Sequence, residues 1–265
     1  MITSLQNDKV KSVRALQTRQ RVRQRERRFV CEGVRLVEEA VRAGVPFEYV
    51  FHTEGLEMDD GRGRALLAAL RESRVPCYLV EDGVMDACSD TETPQGILAV
   101  LPMPVLPQPE HPSLTLVLDG VRDPGNLGTI LRTALAAGVE RVLLPPGTVD
   151  AYNPKVVRGA MGAHLRLPLV VAAWDHVAER IAGSDVWLAD AGGETLHTAV
   201  DWTRPATLVM GGEAAGAGSR SRAWARGRVA IPMAPGVESL NVAAATAVIL
   251  FEIVRQRRAK EGGAA

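Results

Sequence analysis

Val229-Ala-Ile-Pro-Met-Ala-Pro-Gly-Val-Glu-Ser-Leu-Asn-Val242 reads as the end of an apolar strand, a proline-rich loop and the start of a helix. The helix behind it runs from about Asn241 to Arg258, and its first turns, VAAATAVILFEIV, are almost wholly apolar. A helix apolar on most sides is buried, either in the core or against a second subunit. Arg255, Arg257 and Arg258 complement the dipole at its end. Ser239 and Asn241 flank Leu240 at the loop–helix junction. Either can cap the helix, which is the plainer reading, and the pair also suits a binding site.

Two blocks of similar design lie upstream. Leu208-Val-Met-Gly-Gly-Glu-Ala-Ala-Gly-Ala-Gly218 runs an apolar strand into glycines and a single acid, Glu213. Glycines permit close backbone approach to a ligand; a flexible loop with a solvated Glu213 is the plainer alternative. The GxGxxG of dinucleotide-binding folds is missing at the strand-to-helix turn. Asp119-Gly-Val-Arg-Asp-Pro-Gly-Asn-Leu-Gly-Thr-Ile-Leu-Arg132 is strand, turn and a helix beginning near Asn126, with Leu127, Ile130, Leu131 and Leu135 on its apolar face. Arg132 lies nearly two turns along that helix. Its five-donor cation can bind phosphate, or it can be an ordinary surface arginine.

Short apolar runs at Thr115–Asp119, Arg141–Leu144, Val186–Ala189, Thr207–Met210 and Val229–Ile231, spaced by helical segments, predict a buried, mostly parallel sheet. Before it, LPMPVLPQPEHP at Leu101 to Pro112 holds five prolines and predicts an extended linker. The expected division is residues 1–104, a linker over 105–112, and 113–265. The first part reads as a small α/β sandwich. It has a basic helix over Val10 to Arg25, a helix over Gly33 to Ala43 with Val34, Val37 and Val41 on one face, and a helix carrying Leu66, Leu67 and Leu70. Its strands are expected at Tyr49–His52, Cys77–Val80 and Ile97–Val100. The tail from Glu261 to Ala265 reads as disordered.

Charge separates the two ends of the chain although the net charge is zero. Residues 1–28 carry nine Lys/Arg against two acids, a net of +7, leaving 22 Lys/Arg against 29 acids elsewhere. A basic arm on an acidic body suggests an anionic partner, nucleic acid first, although such runs also serve solubility alone. No apolar run reaches the length of a membrane span; the longest, around Ala243 to Ile253, is broken by Thr246 and Glu252. The polar N-terminus is unlike a secretory signal. Three cysteines without CxxC spacing argue against a disulfide framework or zinc site and for a reducing cytoplasm. No His/Cys/Asp cluster has metal-ligand spacing, so no metal is expected.

Taken in order, the three blocks resemble the signature motifs of the SpoU/TrmH family of RNA ribose 2′-O-methyltransferases, of the SPOUT superfamily. The resemblance covers roughly residues 112–258. It extends to Phe29-Val-Cys-Glu-Gly33 and Val37-Glu-Glu-Ala40, which are similar to that family's accessory, ribosomal-protein-like substrate-binding domain. It implies an α/β catalytic domain with a deep trefoil knot, a homodimer, and S-adenosylmethionine bound in the knot. It places Asn126 and Arg132, Glu213, and Ser239 and Asn241 at the polar positions of the three motifs, as candidate catalytic residues. It also places Gly211, Ile231 and Leu240, with Gly212 and Met233 as neighbours, around the cofactor. Candidate RNA contacts are Arg21, Arg23, Arg25 and Arg158. Two departures concern loop shape: Ala214-Ala215 intervene after Glu213 before Gly216, and Pro235-Gly236 interrupts the third motif.

That family often gives its motif arginine the base role. A free guanidinium holds its proton to above about pH 12. Arg132 is therefore read as a clamp for the adjacent phosphate and a stabiliser of the developing oxyanion, with phosphate or water taking the proton. Asn126 would position Arg132 or the ribose, Glu213 would orient Asn126 or Arg132, and Ser239 and Asn241 would hold substrate backbone. The extra N-terminal domain points to ribosomal RNA, 23S first, by analogy. A transfer-RNA enzyme, a non-catalytic RNA-binding or ribosome-assembly factor and a nucleotide-dependent oxidoreductase are the alternatives.

Overall fold

The computed structural model describes residues 1–59, 61–213 and 216–262. In chain order the elements are α1 (Asp8–Thr18), α2 (Gln20–Glu26), β1 (Arg28–Glu32), α3 (Val34–Arg42), β2 (Tyr49–His52), α4 (Glu54–Met58), α5 (Arg62–Glu72), β3 (Cys77–Leu79), α6 (Asp82–Cys88) and β4 (Ile97–Pro102). There follow β5 (Leu114–Asp119), α7 (Pro124–Ala136), β6 (Arg141–Leu144), α8 (Pro154–Ala160), a 3-10 turn (Ala163–Leu165), β7 (Leu169–Val171) and α9 (Trp174–Ile181). The chain ends with β8 (Asp185–Ala189), β9 (Thr195–Leu196), β10 (Ala206–Gly211), α10 (Ser219–Trp224), β11 (Gly227–Ala230) and α11 (Val242–Gly262). They form two units, residues 1–105 with 152–165, and residues 106–151 with 166–265.

The first unit is a four-stranded sheet in the order β1-β4-β2-β3. Side chains alternate along each strand with period two, so β4 sends Ile97, Ala99 and Leu101 to one core cluster and Leu98 and Val100 to another. Helices α3 and α5 cover the first face through Leu36, Val37, Leu67 and Leu70. Helices α1 and α6 cover the second through Val10, Val13, Leu16 and Val84. Leu101 and Pro102 thus complete β4, which pairs Pro102 with Arg28, rather than opening the linker.

The basic helix expected over Val10 to Arg25 is two helices. Arg19 leaves helical geometry at φ −122°, ψ 106°. The second helix turns so that Arg23 reaches back, its Nη1 donating to the carbonyls of Leu16 at 2.6 Å and Gln17 at 3.2 Å. Arg23 is only 3% exposed. It closes the end of α1, where carbonyls lack helical partners. This corrects its reading as an RNA contact. Arg21 and Arg25 remain exposed on the same helix. Arg158, on α8, pairs with Asp90.

The second unit is a seven-stranded sheet in the order β7-β6-β5-β10-β8-β11-β9, and its strands pair in parallel throughout the described residues. All six residues of β5 are buried, as parallel strands covered on both faces require. The short strands β7 and β9 escape a reading by sequence because three- and two-residue runs carry no periodicity. Helix α7 starts earlier than expected: Asp123 caps it by accepting from the Asn126 N–H at 2.8 Å, and Pro124 occupies the first turn. Helix α11 packs on α7 and β10. It buries Ile249, Leu250 and Ile253, each worth about 1.5–3 kcal/mol of burial. Its other face leaves Val248 41% and Phe251 51% exposed. The helix continues through Glu261 and Gly262, which correspond to the start of the expected disordered tail; residues 263–265 lie outside the described residues.

Candidate functional site

The C-terminal ends of β5 and β10 bring two of the motifs side by side. The strands are paired in parallel with Gly211 opposite Asp119. Beyond them the chains stay in contact because Gly212 has no side chain: a Cβ there would lie 2.2 Å from the Gly120 carbonyl oxygen. Asp119 ties the second motif down at its far side, accepting from the Gly218 N–H and the Ser221 hydroxyl, both at 2.7 Å. Gly212 and Gly216 exchange backbone hydrogen bonds at 3.2 and 3.1 Å. Ala214 and Ala215 lie outside the described residues.

Glu213 is thereby aimed at the turn before α7. Its carboxylate accepts from the Arg122 and Asp123 N–H groups at 3.2 and 3.3 Å and from Asn126 Nδ2 at 2.9 Å. Burial pushes this carboxyl up, but the Asn126 side chain and the backbone N–H groups outweigh it, and the group sits below the usual glutamate range. Asn126 in turn accepts from Asn241 Nδ2 at 2.9 Å. The oxygen of Asn241 accepts from the N–H groups of Ala243 at 2.9 Å and Ala244 at 3.3 Å. Asn241 is both the cap of α11 and a member of the site, one role for each end of its amide.

The departure at Pro235-Gly236 has a local cause. Val237 N–H donates to the Ala234 carbonyl at 3.2 Å, and Gly236 has φ +85°. Proline second and a positive-φ glycine third make this a type II turn, which shapes the loop before Ser239.

A cavity of about 470 Å³ opens beside this hydrogen-bonded chain. Such volumes suit a small-molecule ligand. Gly211, Gly212, Ile231, Met233 and Leu240, the five residues placed around the cofactor by resemblance, all line it. So do Glu213, Ser239 and Asn241. Arg132 does not: it is exposed on α7, outside the lining.

Two charged lining residues were missed in the sequence, Asp190 and Arg222. Asp190 follows β8 and accepts from the Gly192 N–H at 2.9 Å and from Arg222 Nη1 at 3.0 Å. Burial raises its carboxyl, while Gly192 and Arg222 lower it to a net value below the usual range. An acid after an apolar strand and before Gly192-Gly193 was the available signal; Arg222 sits among other arginines and gave none. Among the described residues, no group of three or more His, Cys, Asp or Glu could hold a metal ion. None of their helices is long and apolar enough to cross a membrane.

The SpoU rRNA Methylase family matches residues 113–251, and the MRM3-like substrate binding domain matches residues 7–99. The chain is 32% identical to the Bacillus subtilis (strain 168) 23S rRNA (guanosine(2553)-2′-O)-methyltransferase RlmP, over 95% of this chain and 98% of that protein. It is 39% identical to the 23S rRNA (guanosine-2′-O-)-methyltransferase RlmB of Pseudomonas putida, over 75% and 85% of the two chains. Among solved structures, the SpoU methyltransferase AviRb from Streptomyces viridochromogenes in complex with the cofactor AdoMet is similar with a TM-score of 0.85. That likeness holds at 31% identity over 96% of this chain and 99% of that one.

Proposed function

Because this chain belongs to the SpoU rRNA methylase family, we propose that it transfers a methyl group from S-adenosylmethionine to the 2′-hydroxyl of a ribose in 23S ribosomal RNA. The observation that carries this reading is the chain of hydrogen bonds Glu213–Asn126–Asn241 at the rim of a cavity lined by Gly211, Ile231 and Leu240. The cavity fits the donor in kind. Met210, Ile231, Leu240 and Ile249 give apolar walls for an adenine, Gly211 and Gly212 bring backbone groups close, and polar side chains stand at the edge.

S-adenosylmethionine bound there supplies an electrophilic methyl group, which leaves its sulfur as a C–O bond forms to the ribose oxygen. The protein's task is placement, which can supply much of the rate. Glu213 fixes Asn126, and Asn126 with Asn241 and Ser239 presents polar groups to the ribose and its backbone. Arg132 holds the neighbouring phosphate and stabilises the oxygen as it gains negative charge. The hydroxyl proton passes to a phosphate oxygen or water.

The part before the proline-rich segment, residues 1–104, acts as the RNA substrate-binding domain, with 105–112 as linker and 113–265 as the methyltransferase domain. Exposed Arg21 and Arg25 and the match to a substrate-binding domain support this, and Arg158 contributes from α8. The working form is a homodimer. In support, the apolar outer face of α11 carries exposed Val248 and Phe251, the kind of surface a second copy covers. The parallel sheet and the likeness to AviRb support the family's trefoil knot as the frame of the cavity. The three cysteines are unpaired, which suits the cytoplasm.

Mapping ribose methylation along ribosomal RNA from a strain lacking this protein tests the reading. One 23S ribose should lose its methyl group and regain it on complementation; an unchanged methylation map would overturn the assignment.

A further inference from the structure

Arg222 is the one cation among the described side chains that line the donor cavity. It is held by its own surroundings: Nε donates to the Ala217 carbonyl at 3.1 Å and Nη1 to Asp190 Oδ2 at 3.0 Å. Asp190 cannot swing away easily, because its other oxygen accepts from the Gly192 N–H at 2.9 Å. Arg228, the second cation near Asp190, is engaged with Glu194 at 3.1 Å and does not line the cavity. Among the described residues, Nη2 of Arg222 has no hydrogen-bond partner. It lies beside Gly216, where a Cβ would stand 3.6 Å from it. The guanidinium is therefore fixed at two points and keeps donors for a third.

The donor ends in an amino acid, with one carboxylate and one ammonium group. Taking a carboxylate out of water is costly unless a charged donor meets it. Both acids lining the cavity are already engaged, Glu213 with Asn126 and two backbone N–H groups and Asp190 with Arg222 and Gly192. The unpaired donors of Arg222 are the complement the carboxylate lacks. We infer that Arg222 binds the carboxylate of S-adenosylmethionine, and that Asp190 is a positioning residue that holds Arg222 in place for it. This rests on the reading of the cavity as the donor site. A guanidinium already ordered by the protein loses less freedom on binding than a free one, which strengthens the contact.

Calorimetry with two ligands isolates the contact: S-adenosylmethionine and its decarboxylated form, which keeps the adenosine, sulfonium and ammonium groups. The wild-type protein should bind the intact donor about ten- to a hundredfold more tightly, the range of a charge-assisted hydrogen bond. Arg222→Met should reduce that ratio to about twofold or less while changing affinity for the decarboxylated ligand little, which also reports that the cavity is intact. Arg222→Lys, which keeps the charge, should recover part of the ratio. A wild-type ratio retained by Arg222→Met, or by Arg222→Ala if the methionine variant does not fold, would overturn the inference while leaving the donor site standing, and a wild-type ratio in Asp190→Asn would overturn the positioning role of Asp190. Failure of the wild-type protein to bind either ligand would instead overturn the donor site itself.

Discussion

Asn126 and Glu213, 87 positions apart in the chain, are joined by a 2.9 Å hydrogen bond from Nδ2 to Oε1. That bond orients the Asn126 amide, so its oxygen faces Asn241. Glu213→Gln replaces one of the two accepting oxygens with an amide donor, which then opposes either the Arg122 N–H or the Asp123 N–H together with Asn126 Nδ2, and it weakens the orientation. Methyl transfer should fall about ten- to a hundredfold, equivalent to losing one or two hydrogen bonds at the site, while donor affinity changes less than threefold, roughly one such bond's lower bound. Because the Glu213 carboxyl is held below the ordinary glutamate range, the bonded form persists as pH falls through that range. It is lost only at the lower folded value, so the wild-type enzyme should keep its activity to a more acidic pH than an unshifted glutamate would allow.

Arg132 is exposed on α7 and outside the cavity lining. Arg132→Ala should therefore leave the calorimetric affinity for S-adenosylmethionine within about twofold while lowering turnover about a hundredfold or more, as removal of an oxyanion-stabilising donor does. Equal loss of donor binding and turnover would make Arg132 structural.

The basic arm divides by burial. Reversing the charge of Arg21 and Arg25, both exposed, should weaken RNA binding and reduce its salt slope by about one for each phosphate the arm no longer neutralises, with no change in the urea midpoint. Arg23→Ala should do the opposite. It strips the Leu16 and Gln17 carbonyls of their donor and should cost about 2–4 kcal/mol in urea unfolding.

Glu252 on α11 is held by Arg255 at 2.7 Å and by Gln256 at 2.8 Å. The Arg255 hydrogen bonds, against some burial, bring its carboxyl down to about 2. A carboxyl lowered in the folded state stabilises the protein above its unfolded value of 4.5, and that contribution fades as pH falls toward about 2. Urea midpoints measured from pH 6 to pH 2 should therefore drop less steeply in Glu252→Gln than in the wild type; parallel curves would show that Glu252 does not contribute.

The sequence carried the parallel sheet because β5, β6, β10 and β11 are apolar runs long enough to read, and it singled out Asn126, Glu213 and Asn241, which the structure joins by hydrogen bonds, because they stand in ordered motifs. Burial of Arg23 could not be read: an arginine in a basic helix looks exposed until the break at Arg19 turns its helix back on the first. Nor could residues 152–165 be assigned to the first unit, since Tyr152 and His164 reach Phe29 only in space. Asp190 and Arg222 escaped because their relevance depends on a contact across 32 positions. Asn241 was legible as a cap and as a candidate site residue; in the structure its oxygen caps α11 and its Nδ2 donates to Asn126.

The chemistry itself is tested most directly by following the methyl group. The purified protein, incubated with S-adenosylmethionine labelled in its methyl carbon and with unmodified 23S ribosomal RNA, should place label in a single 2′-O-methylated nucleoside after complete digestion. Label on a base, or none on RNA while the donor binds, would contradict ribose methylation by this site.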